Sequence, residues 1–211
     1  MRVVTQGQFF ERPTIIPVGD CVLDGLSTSG DARPPLLIVP PPPERGSMDH
    51  PLLAELAWAA SRASFPTLRF NFRGVGASQG ERGDEAHRLA DTEAALRLLE
   101  ENTGVASAAA ASFGASAPTI VALQQLHPGI AGLCFISPAA LELAELARVG
   151  TPLLAVIGEK DASVPQAALA AAIREAGGQM EIIPGADANF QSKLPNVGRS
   201  VVRWLSRLRP G

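Results

Sequence analysis

The chain has 211 residues, a formal net charge of −3, 46% hydrophobic and 18% charged residues, which excludes a disordered chain and leaves room for one well-buried core. The negative total gives no pull toward nucleic acid or an anionic membrane. No apolar run reaches the roughly 20 residues that cross a bilayer.

The first residues have no apolar stretch of signal-peptide length, so a cytoplasmic protein is expected. Cys21 and Cys134 fall in expected strands and read as free thiols, since two cysteines in a chain of this size do not make a disulfide scaffold.

In chain order, residues 14–18 and 21–27 read as strands joined by Gly19 and Asp20, a hairpin turn. Residues 36–39 form a short continuous apolar strand, the pattern of a sheet covered on both faces. Pro51 opens a helix whose Leu52, Leu53, Leu56, Ala57 and Ala60 make one apolar stripe. A strand over 67–72 leads into a loop with Gly74, Gly76, Gly80 and Gly83. Asp84 then caps a helix whose Leu89, Ala90, Leu96 and Leu99 are expected to face inward.

The alternation continues. Strand 106–111 is followed by helix 113–126, strand 132–137, a short helix 140–148 and strand 152–157. Helix 166–176, strand 179–183 and helix 197–208 complete the chain. Repeated strand–helix units imply right-handed crossovers and a mostly parallel sheet of about eight strands with helices on both faces. Functional loops in such sheets lie at the carboxyl ends of the strands. Neither an internal repeat nor a linker divides residues 1–211, so one domain is expected.

Three segments carry a resemblance: the run LRFNFRGVGASQG over 68–80, the serine turn around Ser112, and the stretch GEKDASVP over 158–165. Together they are similar to the α/β-hydrolase superfamily, specifically small, cap-less bacterial members related to dienelactone hydrolases. The resemblance implies the α/β-hydrolase fold, with Ser112 at the nucleophile position on a sharp strand-to-helix turn, its oxygen exposed above the sheet. It puts Asp161 at the acid position and the histidine in the loop after the last strand. There the sequence reads Gly185, Ala186, Asp187, Ala188, so Ala188 occupies the histidine position and cannot accept a proton.

The oxyanion hole implied by the resemblance takes backbone N–H groups from Phe113 and from the loop after residues 36–39. That loop carries prolines at 40–43, among them Pro41, Pro42 and Pro43, and proline has no N–H; donors begin only at Glu44. Losing one such donor costs roughly 3–4 kcal/mol in measured hydrolases. Losing the base costs on the order of a million-fold in subtilisin. A serine hydroxyl without a base is a poor nucleophile.

Three histidines remain, His50, His87 and His127. His50 alone lies where a substitute base could come from; its bland reading is a helix-start residue. His87 reads as exposed, and His127 as complementing a helix dipole. Lys160 beside Asp161 would be held charged. Without a histidine to orient, Asp161 would seek donors from Lys160 or loop N–H groups, and could meet Asp187 near Ser112. Ser78 matches Gly-x-Ser-x-Gly within residues 76–80 but opens a polar loop, and Arg73 reads as a structural donor to a carboxylate. Arg199, Arg203 and Arg207 form a basic stripe, read as solvated, with an acidic protein partner as the alternative.

The sequence therefore points to a hydrolase-fold protein whose catalytic machinery has decayed, acting by binding a small acyl- or ester-like ligand or a protein. The competing reading is an active serine hydrolase using Ser112 and His50. No metal site, cofactor, nucleic acid or membrane partner is expected, and the oligomeric state is open.

Overall fold

The computed structural model describes residues 11–208. Eight strands form one sheet: β1 (Arg12–Val18), β2 (Cys21–Thr28), β3 (Leu36–Val39), β4 (Thr67–Phe70), β5 (Ala109–Phe113), β6 (Gly132–Ile136), β7 (Leu153–Gly158) and β8 (Gln179–Ile183). Their order across the sheet is β1-β2-β4-β3-β5-β6-β7-β8. β2 runs antiparallel to both its neighbours, and the pairs from β4 to β8 are parallel. Among the described residues there are five α-helices, α1 (Pro51–Arg62), α2 (Glu85–Thr103), α3 (Ala117–Leu126), α4 (Gln166–Glu175) and α5 (Leu194–Leu205), and the short helix expected over 140–148 is a 3-10 helix over Leu143–Arg148.

Each face of the sheet is covered by helices. On one face Leu96 and Leu99 of α2, Ile120 and Leu123 of α3, and Leu169 and Ile173 of α4 pack on Leu37, Phe70, Phe135 and Ile157. On the other, Leu52, Leu53 and Leu56 of α1 and Val197, Val201 and Trp204 of α5 pack on Ile38, Ala111, Ile136 and Val156. This double covering explains why the central strands read as continuous apolar runs with no alternation. The hairpin turn at Gly19 and Asp20 and the bounds of β3 and β8 match the sequence reading.

Two expectations are corrected. In α2, Ala90 is exposed while Asp91 and Thr92 are fully buried. The polar side chains are buried because each is bonded. Asp91 accepts from the Arg73 backbone N–H at 3.0 Å, Nε at 2.9 Å and Nη2 at 2.6 Å, and Thr92 donates to the Arg88 carbonyl. Paired in this way, a buried carboxylate is tolerated. Arg73 is thus the structural donor expected, and Asp91 is its carboxylate.

The second correction bears on function. The alanine-rich strand was expected over 106–111, with a helix starting at Phe113. The strand instead runs from Ala109 through Phe113, a single 3-10 turn covers Gly114–Ser116, and α3 begins at Ala117. Pro118 is one reason: proline in the first helical turn is favoured and forbids an earlier regular start. The left-handed backbone of the turn, φ +64° at Gly114, is the other, because glycine adopts it without steric cost.

Candidate functional site

The carboxyl ends of β3, β5, β7 and β8 bring the implied site together. Ser112 is not on the turn. It sits inside β5, paired with Val39 of β3 and Phe135 of β6, and is 1% exposed. It belongs to the same side of the strand as Ala108 and Ala110, which face α2 and α3. Its hydroxyl has no hydrogen-bond partner. The expectation of an oxygen held exposed above the sheet is therefore overturned, and the cause is the later end of β5.

The turn itself is at Gly114. After an extended Phe113 (φ −117°, ψ 134°) the chain reverses through φ +64° at Gly114. A side chain at this point would meet nothing within 4 Å. The position that projects freely between strand and helix is thus held by a residue with no side chain. Just beyond it, the buried Ser116 hydroxyl donates to the Pro40 carbonyl at 2.6 Å, tying the turn to the proline loop. Pro41 and Pro43 are buried and Glu44 is exposed; Arg45 N–H closes a turn on the Pro42 carbonyl at 2.8 Å.

His50 caps α1. Its Nδ1 accepts the Leu52 N–H at 3.2 Å, and its ring lies 4.6 Å from that of Phe113, inclined at 41°. A nitrogen that accepts a backbone N–H uses the lone pair of the neutral ring, so the proton sits on Nε2, a donor. Burial holds the His50 pKa below its usual 6.5. His50 and Ser112 are not hydrogen-bonded to one another. The helix-start reading of His50 describes what the ring does.

Asp161, on the loop after β7, is 3% exposed. Its partners are neither Lys160 nor Asp187. The Ser137 hydroxyl donates to Oδ2, and Ser163 donates to Oδ1 through its hydroxyl at 2.6 Å and its N–H at 2.9 Å. Ser137 closes β6 with a positive φ of 47°. Its hydroxyl takes up one carboxylate oxygen. Sequence reasoning missed Ser137, Ser163, Ser116 and Gly114; only Gly114 carried a signal, as a lone glycine between an apolar strand and Pro118.

The loop bearing Ala188 lies against that of Asp161. Lys160 N–H donates to the Ala186 carbonyl at 2.8 Å, and Gly185 N–H donates to Glu159 Oε2 at 2.7 Å. A Cβ at Gly158 would come within 2.3 Å of the Asp187 carbonyl oxygen, so only glycine permits the approach. Ala188 is half-buried, and Asp187 is exposed with Oδ1 accepting the Asn189 N–H at 3.0 Å. Ser78 is a structural bridge: its hydroxyl donates to the Asn71 carbonyl and accepts the Asp24 N–H, both at 2.9 Å. Among the described residues no group of three or more His, Cys, Asp or Glu side chains could hold a metal ion. No helix among them is long and apolar enough to cross a membrane.

Strand order, a strand-turn-helix at β5 and an acid loop after β7, with no cap among the described elements, define the α/β-hydrolase fold. Its structural neighbours are small cap-less α/β hydrolases. An α/β serine hydrolase homologue from Coxiella burnetii shares 25% identity and a TM-score of 0.81, over 97% of this chain and 100% of that one. An α/β serine hydrolase without lid from Xanthomonas campestris shares 20% identity and a TM-score of 0.78, over 94% and 97%. A dienelactone hydrolase from Anabaena variabilis shares 17% identity and a TM-score of 0.80, over 95% and 99%. No protein-family model matches the chain, and no curated protein does.

Proposed function

We propose that this is a non-catalytic α/β-hydrolase-fold protein that works by binding. The observation that carries the reading is Gly114. The strand-to-helix turn is where such a fold projects its nucleophile, and here that turn has no side chain. Ala188 supports the same reading, because the loop that lies against the Asp161 loop carries no imidazole. Both oxygens of Asp161 already accept from Ser137 and Ser163, and prolines at 40–43 supply no N–H to an oxyanion. The ligand is a small acyl- or ester-like molecule or a protein, held over the Gly114 turn by the proline loop and Phe113. A cytoplasmic setting belongs to this proposal and fits the two free thiols.

Two observations stand against the alternative, catalysis by Ser112 with His50: the hydroxyl is buried and the Nδ1 of the ring accepts the Leu52 N–H in its cap. The test is covalent labelling. Purified protein incubated with a fluorophosphonate is expected to stay unlabelled, and stoichiometric labelling at any serine within minutes would overturn the proposal. Gly114→Ser together with Ala188→His is expected to introduce slow ester hydrolysis or labelling at residue 114. Ala188→His alone is expected to do neither. The serine accepts about 1–2 kcal/mol of left-handed strain, so the double variant's fold is checked by circular dichroism.

A further inference from the structure

The two edges of the sheet differ. β1, at one edge, carries Pro13 and Pro17, and prolines on an edge strand block pairing with another chain. β8, at the other, has only β7 beside it among the described residues. Its five residues, Gln179, Met180, Glu181, Ile182 and Ile183, include no proline and no lysine, so one side of its backbone is undefended.

Its side chains alternate between the two faces. Met180 and Ile182 point to the α4 face, where Ala170, Ile173, Arg174 and Gly178 complete a groove of about 300 Å³. Ile182 is 47% exposed. Glu181 points to the α5 face, where its Oε2 accepts from Arg203 Nη1 at 3.4 Å.

We propose that β8 is a dimerisation edge, pairing antiparallel with β8 of a second copy of this chain across a two-fold axis at Glu181. The register follows from parity. A two-fold axis perpendicular to the sheet keeps like faces together, and directly opposite residues in an antiparallel pair share a face. The axis must therefore pass through a residue position, and Glu181 is the centre of the five.

That register sets Met180 opposite the other copy's Ile182, and Ile182 opposite its Met180. Two half-exposed apolar pairs then close into one strip. On the opposite face two Glu181 and two Arg203 alternate in sign, which offsets the like-charge approach of the carboxylates. The undefended backbone groups pair with one another, giving a self-complementary interface of the kind two-fold symmetry requires. The inference is independent of whether the hydrolase site is catalytic.

Sedimentation equilibrium of the full chain tests it. The wild type is expected to dimerise; a monomer at every concentration would overturn the proposal. Ile182→Lys is expected to raise the dissociation constant at least about tenfold, equivalent to about 1.4 kcal/mol. A dimer that survives the substitution lies elsewhere and overturns it too. Glu181→Arg is expected to weaken the dimer and Glu181→Arg with Arg203→Glu to recover it; failure of the pair to recover would overturn the charge register. Amide exchange in residues 179–183 of the unmodified protein reads the same edge without a substitution. Protection that rises with concentration supports the pairing, and protection independent of concentration sinks it.

Discussion

Ser112 shows how much a local position can change the meaning of a residue. On an exposed turn its hydroxyl would be chemistry; inside β5, 1% exposed and without a partner, it is a cost. A buried polar group left unbonded costs roughly 1–3 kcal/mol. Ser112→Ala is therefore expected to stabilise the protein by about 1 kcal/mol, seen as a higher urea midpoint at unchanged slope. A loss of stability would mean that the hydroxyl has a partner after all. Gly114 is the converse case, since its missing side chain gives the turn its backbone freedom.

At the scale of elements, the glycine-rich loop and α2 are held together by one ion pair. Arg73, with its side chain 17% exposed, meets Asp91, which is fully buried, and the Asp91 bond raises the Arg73 pKa above its ordinary value. Removing one partner of a buried pair leaves an uncompensated charge and costs about 3–5 kcal/mol. Arg73→Ala is expected to lose that much by urea unfolding, and Arg73→Ala with Asp91→Leu to lose less than the single change. If the double variant is the less stable of the two, Asp91 has a further role. This pair also explains why apolar periodicity misplaced the inward face of α2: a bonded carboxylate occupies a core position that the pattern assigned to Ala90. The start of α3 shifted for a related reason. Residues 108–111 are all alanine, a strong helix former held here in a strand by its pairing, so no local preference marked where β5 ends.

At the scale of the molecule, both apolar clusters lie on one sheet, and neither can unfold without exposing the other's floor. A single cooperative unit is expected. Trp204 on α5 is buried against one face and Trp58 on α1 is exposed, so the fluorescence change reports that one face, while far-UV circular dichroism reports all of the fold. The two signals should give coincident urea midpoints, and separated midpoints would divide the chain into two units.

The α/β class, most element positions and the hydrolase resemblance were legible from residues, because strand runs, glycine loops and helix stripes are local patterns. So was the absence of a histidine near Ala188. The site was legible only in part. Asp161, Ala188 and the proline loop are at the carboxyl ends of their strands, as the sequence implied. Ser137 as a partner for Asp161 could not be read, since the two are 24 residues apart and meet only across neighbouring strands.

By itself, then, the sequence determined the architecture and the lack of an imidazole in the last loop. Only the tertiary structure decided which residue stands on the turn, because the end of a strand is set by its pairing with β3 and β6 and by the helix that must follow. Alanines carry no periodicity from which that end could be read. Two residues of displacement along β5 separate a serine buried inside the strand from the glycine on the turn.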